Sequence, residues 1–157
     1  MSGDIKDTVR TRYGEAPLQA KRVIFACVHN AGRSQMAAAY FSQLADPKQA
    51  EAVSAGTTPG NRVHPEVVTV MGELGIDLSA KRPQPLTDAL SRNASLLVTM
   101  GCGEVCPYVP GVEREDWPLP DPEGRPLADV RRIRDDVRDR VVALIASHGW
   151  GLRSSKA

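Results

Sequence analysis

Apolar positions along this chain alternate between two patterns. VIFAC (23–27), EAVSA (51–55) and SLLVTM (95–100) are short continuous runs, as expected of strands covered on both faces. Between and after them the apolar residues return at helical spacing. The stretch Ser34–Leu44 offers Met36, Tyr40, Phe41 and Leu44 to one face, with Ser34 expected to cap its start. Pro65 suits the first position of a helix carrying Val67, Val68, Val70, Met71 and Leu74, which Gly75 would end. Leu86 to Leu90 reads as a short helix, and residues 126–148 place Val130, Ile133, Val137, Val141 and Leu144 on one face, opposite Arg and Asp. From 101 to 126 the chain is dense in Gly and Pro and reads as functional loop, with an edge strand near 112–116. Strands alternating with helices predict an α/β fold whose mostly parallel sheet, of about four strands, is covered on both faces. Ligands of such sheets bind at the carboxyl ends of the strands.

Composition narrows this picture. The 157 residues, 41% hydrophobic and 25% charged, fit one domain over 22–150, with an extension at 1–21 and a flexible tail at 151–157. Residues 4–20 could form a short amphipathic helix limited by Pro17. Lys and Arg total 20 against 19 Asp and Glu, a net charge of +1, so no overall field would attract nucleic acid or an anionic membrane. The N-terminus has no apolar signal-peptide core and no later run is long enough to span a bilayer, so a cytoplasmic protein is expected. Three cysteines cannot all pair, and in a reducing compartment they read as reactive or as inert buried thiols. His29, His64 and His148 are scattered without paired ligand spacing, so no metal site is expected.

Chemistry concentrates in CVHNAGRS (27–34), which lies between the first strand and the first helix. A loop in that place can turn successive backbone N–H groups inward, with the helix dipole behind them, and so cradle a tetrahedral oxyanion. Asn30 and Gly32 are residue types that tolerate the left-handed turns of such a nest. Arg33 can add paired donors, and the positive field at the mouth would favour the thiolate of Cys27. The alternative is that Cys27 merely ends a buried strand as a small hydrophobe, with Arg33 solvated beside it.

CVHNAGRS resembles the C-x5-R-S loop of the low-molecular-weight protein tyrosine phosphatase superfamily, most closely its arsenate reductase branch. SAG (54–56), GIDLS (75–79), LLVTM (96–100) and WPLPDP (117–122) match in order, and the resemblance covers roughly residues 22–148. It implies a three-layer α/β/α fold with a four-stranded parallel sheet. It also implies Cys27 as nucleophile and an oxyanion held by Val28, His29, Asn30, Ala31, Gly32, Arg33 and Ser34. Ser34 would steady the thiolate and Asn30 the loop's shape, while the side chain of His29 stays unassigned. Expelling oxygen from arsenate needs a proton, and the resemblance assigns that acid to Asp121 of LPDP, ahead of Asp116. An Asp-Pro turn without chemistry is the alternative.

In thioredoxin-coupled members of the branch, two further cysteines complete an internal relay. Cys102 would attack first and Cys106 would close the final disulfide, although they stand closer together than is usual there. Other members use a small thiol such as mycothiol, with its mycoredoxin, and both routes stay open. Ala31 stands where phosphatases carry a second cysteine, and the Asp121 loop lacks their tyrosines; both departures favour the reductase. Ala37, Ala38 and Ala39 replace a Glu that binds potassium in some reductases, so no such site is expected. The resulting expectation is a monomeric arsenate reductase of arsenic detoxification, with no bound cofactor and an external thiol reductant. A low-molecular-weight tyrosine phosphatase and a non-catalytic oxyanion-binding module are the alternatives.

Overall fold

The computed structural model describes residues 20–101 and 109–151, so the expected N-terminal helix, Cys102, Cys106 and the tail beyond Gly151 lie outside the described residues. Strands β1 (Lys21–Cys27), β2 (Ala50–Gly56), β3 (Leu96–Thr99) and β4 (Glu113–Asp116) form one sheet in the order β2-β1-β3-β4. Every pairing is parallel, so the sheet is parallel throughout and not only for the most part. Helices α1 (Arg33–Leu44), α2 (Pro65–Gly72), α3 (Asp88–Arg92) and α4 (Leu127–His148) complete the layers.

The period of two along β1 divides the core. Val23, Phe25 and Cys27 face a large cluster with Met36 and Phe41 of α1, Val67 and Met71 of α2, and Val137 and Val141 of α4. Ile24 and Ala26 face the opposite layer, where Leu97 and Ala55 meet Leu86 and Leu90. Phe25 lies 5.9 Å from Phe41 and 5.7 Å from Trp117, ring centre to centre, and Trp150 packs against Phe41 at 6.0 Å. Such pairs each add about 1 kcal/mol to the area they bury. Trp117 thereby anchors the start of the loop that carries Asp121. At the other end Gly151 bridges Ala45, which ties the end of α4 to the end of α1.

Local details differ from the pattern. Gly32, not Ser34, caps α1, because the Ser34 hydroxyl is engaged inside the first turn. Helix α2 stops at Gly72, before the turn in which Gly75 takes φ +79°, and Leu74 is left exposed. Helix α3 starts two residues later than the apolar pattern suggests, where the Thr87 hydroxyl accepts from the Leu90 amide at 3.1 Å. All four residues of β4, ERED, are exposed, and their charges discourage pairing of this edge with another chain. Among the described residues no helix is long and apolar enough to cross a membrane.

The strand order places the site. The chain leaves β1 for β2 on one side and returns to β3 on the other, and this reversal opens a crevice at the carboxyl ends of β1 and β3. Because the strands are parallel, the segments after β1, β3 and β4 all emerge at that one edge.

Candidate active site

Cys27 is the last residue of β1, paired in register with Gly56, and is 2% exposed. Beyond it the carbonyls of Cys27, Val28, His29 and Ala31 accept from the amides of Thr57, Thr58, Gly60 and His64 at 2.8–3.1 Å. In a trans peptide each N–H points opposite to the preceding carbonyl, and among the described residues no peptide bond is cis. The amides of Val28, His29, Asn30 and Gly32 are therefore turned away from the 57–64 segment, towards the inside of the loop. The loop bends so closely over Gly56 that a Cβ there would sit 2.6 Å from the Val28 carbonyl, which is the reason for glycine in SAG. With Gly32 as its cap, α1 has no side chain competing for its first amides, which leaves them to an anion.

Asn30 is the only non-glycine residue at positive φ, +53°, among those described. Its side chain explains how it stays there: Oδ1 accepts from the Gln84 amide at 2.9 Å, and Nδ2 donates to the Ser34 hydroxyl at 2.8 Å. Ser34 in turn lies 2.9 Å from the Cys27 sulfur. Gly32 is not left-handed as expected. Its φ is −144°, and glycine is required because Pro122 approaches to 2.8 Å of the place a Cβ would take.

Arg33 is buried rather than solvated, and its surroundings come from far along the chain. Nη1 donates to the Leu119 carbonyl at 2.9 Å, and Nη2 lies 3.8 Å from Oδ2 of Asp121. Asp121 is thus brought beside the loop, on a turn in which its Oδ1 accepts from the Glu123 amide at 3.0 Å. Asp116, the competing carboxylate, is instead bonded by the Thr99 hydroxyl at the end of the sheet. Gly101 completes the seat of Arg33: its φ is +88°, and a Cβ there would lie 2.2 Å from Nη1. Gly101→Ala is therefore expected to displace the guanidinium, lowering kcat/KM for the oxyanion substrate roughly 10- to 100-fold. The added strain at positive φ should cost about 1 kcal/mol of stability, read by denaturant unfolding.

Glu66 fastens the same loop to α2 by accepting from the Gly124 amide at 2.8 Å. Its carboxyl is held below the usual range, first by its own backbone amide and then, against a desolvation cost, by that of Gly124. With the folded value depressed, this tie holds above the ordinary carboxylate range and is lost as pH falls through the lowered value. A cavity of about 510 Å³ opens alongside, walled by His29, Arg62, His64 and Glu123 among others. His29, Asp121 and Glu123 each place a ligand atom within 4.8 Å of the others, a grouping that linear spacing did not foretell. A cation held there would occupy the carboxylate that an acid role needs, so the two uses of Asp121 exclude each other.

Cys27, Val28, His29, Asn30, Ala31, Gly32, Arg33, Ser34 and Asp121 are thus gathered at one edge of the sheet, whereas Cys102 and Cys106 lie outside the described residues. Sequence reasoning missed Gln35, Gln84, Gly101 and Leu119. Gly101 alone carried a signal, as a glycine directly after a central strand.

Residues 22–149 match the family described as low molecular weight phosphotyrosine protein phosphatase. The glutaredoxin arsenate reductase of Synechocystis is 36% identical over 129 residues, covering 80% of this chain and 97% of the relative. The thioredoxin-dependent arsenate reductase of Corynebacterium glutamicum superposes with a TM-score of 0.72 at 39% identity, over 84% of this chain and 63% of that longer one. A low molecular weight protein tyrosine phosphatase from T. tengcongensis superposes with a TM-score of 0.71 at 26% identity, over 82% of this chain and 99% of its own.

Proposed function

Because the chain belongs to the low molecular weight phosphotyrosine protein phosphatase family, we propose that it works from the family's loop as an arsenate reductase, turning arsenate into arsenite in arsenic detoxification. The observation that carries this reading is the convergence of Cys27, the inward loop amides, Arg33 and Asp121 at one edge of the sheet. Likeness to named arsenate reductases selects arsenate over a phosphate ester.

The Cys27 thiolate attacks arsenic(V), forming an S–As bond, while Asp121 gives a proton to the departing hydroxide, which leaves as water. Loop amides and Arg33 hold the remaining oxygens and the charge they carry. A second thiolate then attacks the Cys27 sulfur. As that S–S bond forms, the S–As bond breaks and its electron pair stays on arsenic, which leaves as arsenite, arsenic(III). Two thiols are oxidised to one disulfide, and an external thiol reductant restores them.

For the second thiol we favour Cys102, with Cys106 then attacking it to move the disulfide to Cys102–Cys106 for thioredoxin. Support comes from chain connectivity: Cys102 follows Gly101, which packs against the Arg33 guanidinium. Mycothiol with mycoredoxin is the other route. Both belong where thiol reductants are kept reduced, which fits a cytoplasmic protein.

Arsenate-dependent NADPH oxidation with thioredoxin and thioredoxin reductase tests the reading. Wild type should turn over, and Cys102→Ser and Cys106→Ser should each fall to the assay background. Turnover with mycothiol and mycoredoxin alone would replace the internal relay by the small-thiol route. Hydrolysis of an aryl phosphate without any arsenate reduction would overturn the reductase in favour of a phosphatase.

A further inference from the structure

The contacts behind the loop carry one residue that none of the chemistry above has used. Gln35, in the first turn of α1, is 5% exposed, and its Nε2 reaches back to donate to the Asn30 carbonyl at 3.0 Å and to Asn30 Oδ1 at 3.3 Å. We propose that Gln35 is a positioning residue for the Cys27 nucleophile, acting through Asn30 and Ser34.

The argument turns on the direction of a buried hydrogen-bond chain. A serine hydroxyl has a single proton. Because Asn30 Nδ2 donates to Ser34 Oγ at 2.8 Å, that oxygen is an acceptor there, and its own proton is free to point at the Cys27 sulfur, 2.9 Å away. A donor aimed at sulfur favours the thiolate over the thiol. The arrangement holds only while the Asn30 amide keeps its nitrogen towards Ser34. Two donors to Oδ1 enforce that orientation: the Gln84 backbone amide at 2.9 Å and Gln35.

Gln35 is the side-chain member of this pair, and it does more than hold the amide. Its bond to the Asn30 carbonyl also supports the left-handed backbone at φ +53°, the bend that carries the loop over Gly56. Without Gln35, Asn30 Oδ1 keeps one protein donor and its carbonyl loses the one that Gln35 supplies. The Gln84 amide alone then opposes a half-turn of the Asn30 amide, and the share of molecules that present Oδ1 to Ser34 rises. A hydroxyl facing a carbonyl oxygen gives its proton to that oxygen, and the sulfur loses its donor.

The proposal rests on Cys27 being the nucleophile, and its test reads that thiol without arsenate, so its failure is separate from failure of the reductase reading. Iodoacetamide labelling of the full chain is followed on the Cys27 peptide by mass spectrometry across pH. Gln35→Met removes the donors at nearly constant volume and should slow labelling at neutral pH about tenfold, the worth of one hydrogen bond to a charged group. At alkaline pH the variant should label as fast as wild type. In a Ser34→Ala background Gln35→Met should have no further effect, because the path to sulfur is already cut. Gln35→Glu keeps the shape without the amide donor and should slow labelling in the same way if methionine disturbs packing. Unchanged labelling in both variants would overturn the proposal, as would slowing that persists at full size with Ser34→Ala.

Discussion

Cys27→Ser should reduce arsenate reduction to background, a loss of roughly 10^4-fold or more, while the protein stays folded. Two properties of sulfur are lost together. A serine hydroxyl is not ionised near neutral pH, so the inward amides would face a neutral group where they favour an anion. More decisively, oxygen cannot take the place of sulfur in the second step, because a Cys27–thiol disulfide is the species that takes the oxidising equivalents as the electron pair passes to arsenic. The fold should tolerate the change: Cys27 ends β1 in full register with Gly56, and serine fits the same volume beside Ser34. Arsenite release in a single turnover measures the first outcome and circular dichroism the second. Phosphate binding should survive, since the amides of the loop are backbone groups. Reduction that survived in Cys27→Ser would remove the nucleophile from this mechanism.

Arg33→Lys should lower kcat/KM for arsenate about 10²- to 10³-fold. The guanidinium is planar and held from several sides: Nη1 by the Leu119 carbonyl and the close approach of Gly101, and Nη2 near the Asp121 carboxylate. Nη1 is thus anchored to the protein, while Nη2 stays on the side of Asp121 and can turn its N–H groups to a bound oxyanion. A lysine ammonium is a point charge with no fork, and once bonded to the Leu119 carbonyl it cannot also present paired donors to an oxyanion. It also leaves Asp121 without its neighbouring planar cation. The Michaelis constant and the turnover number should therefore worsen together, a result steady-state kinetics can read. An unchanged turnover number with a raised Michaelis constant would restrict Arg33 to substrate binding.

Much of this is legible in the sequence, and the reasons are local. VIFAC gives its place away because a strand buried on both faces needs a continuous apolar run, and Val130 to Leu144 because a surface helix needs one apolar stripe. Pro65 and the strand-loop-helix frame of CVHNAGRS follow from the backbone preferences of neighbouring residues. Where the pattern misled, a longer-range contact had intervened. Ser34 looked like a helix cap, but Asn30 and Cys27 claim its hydroxyl; Gly32 looked left-handed, but it is glycine because Pro122 passes over it.

Local sequence carries the order of elements, a mostly parallel sheet with ligands at its carboxyl edge, and a cysteine and an arginine in one loop suited to an oxyanion. What that loop rests on depends instead on contacts distant along the chain. The Gln84 amide reaches Asn30 from 54 residues away and the Leu119 carbonyl reaches Arg33 from 86, while Asp121 and Gly101 arrive from separate strand ends. Periodicity and propensity describe a residue and its near neighbours along the chain. These contacts are set by which strand lies beside which, and that order is chosen by the packing of both faces of the sheet at once.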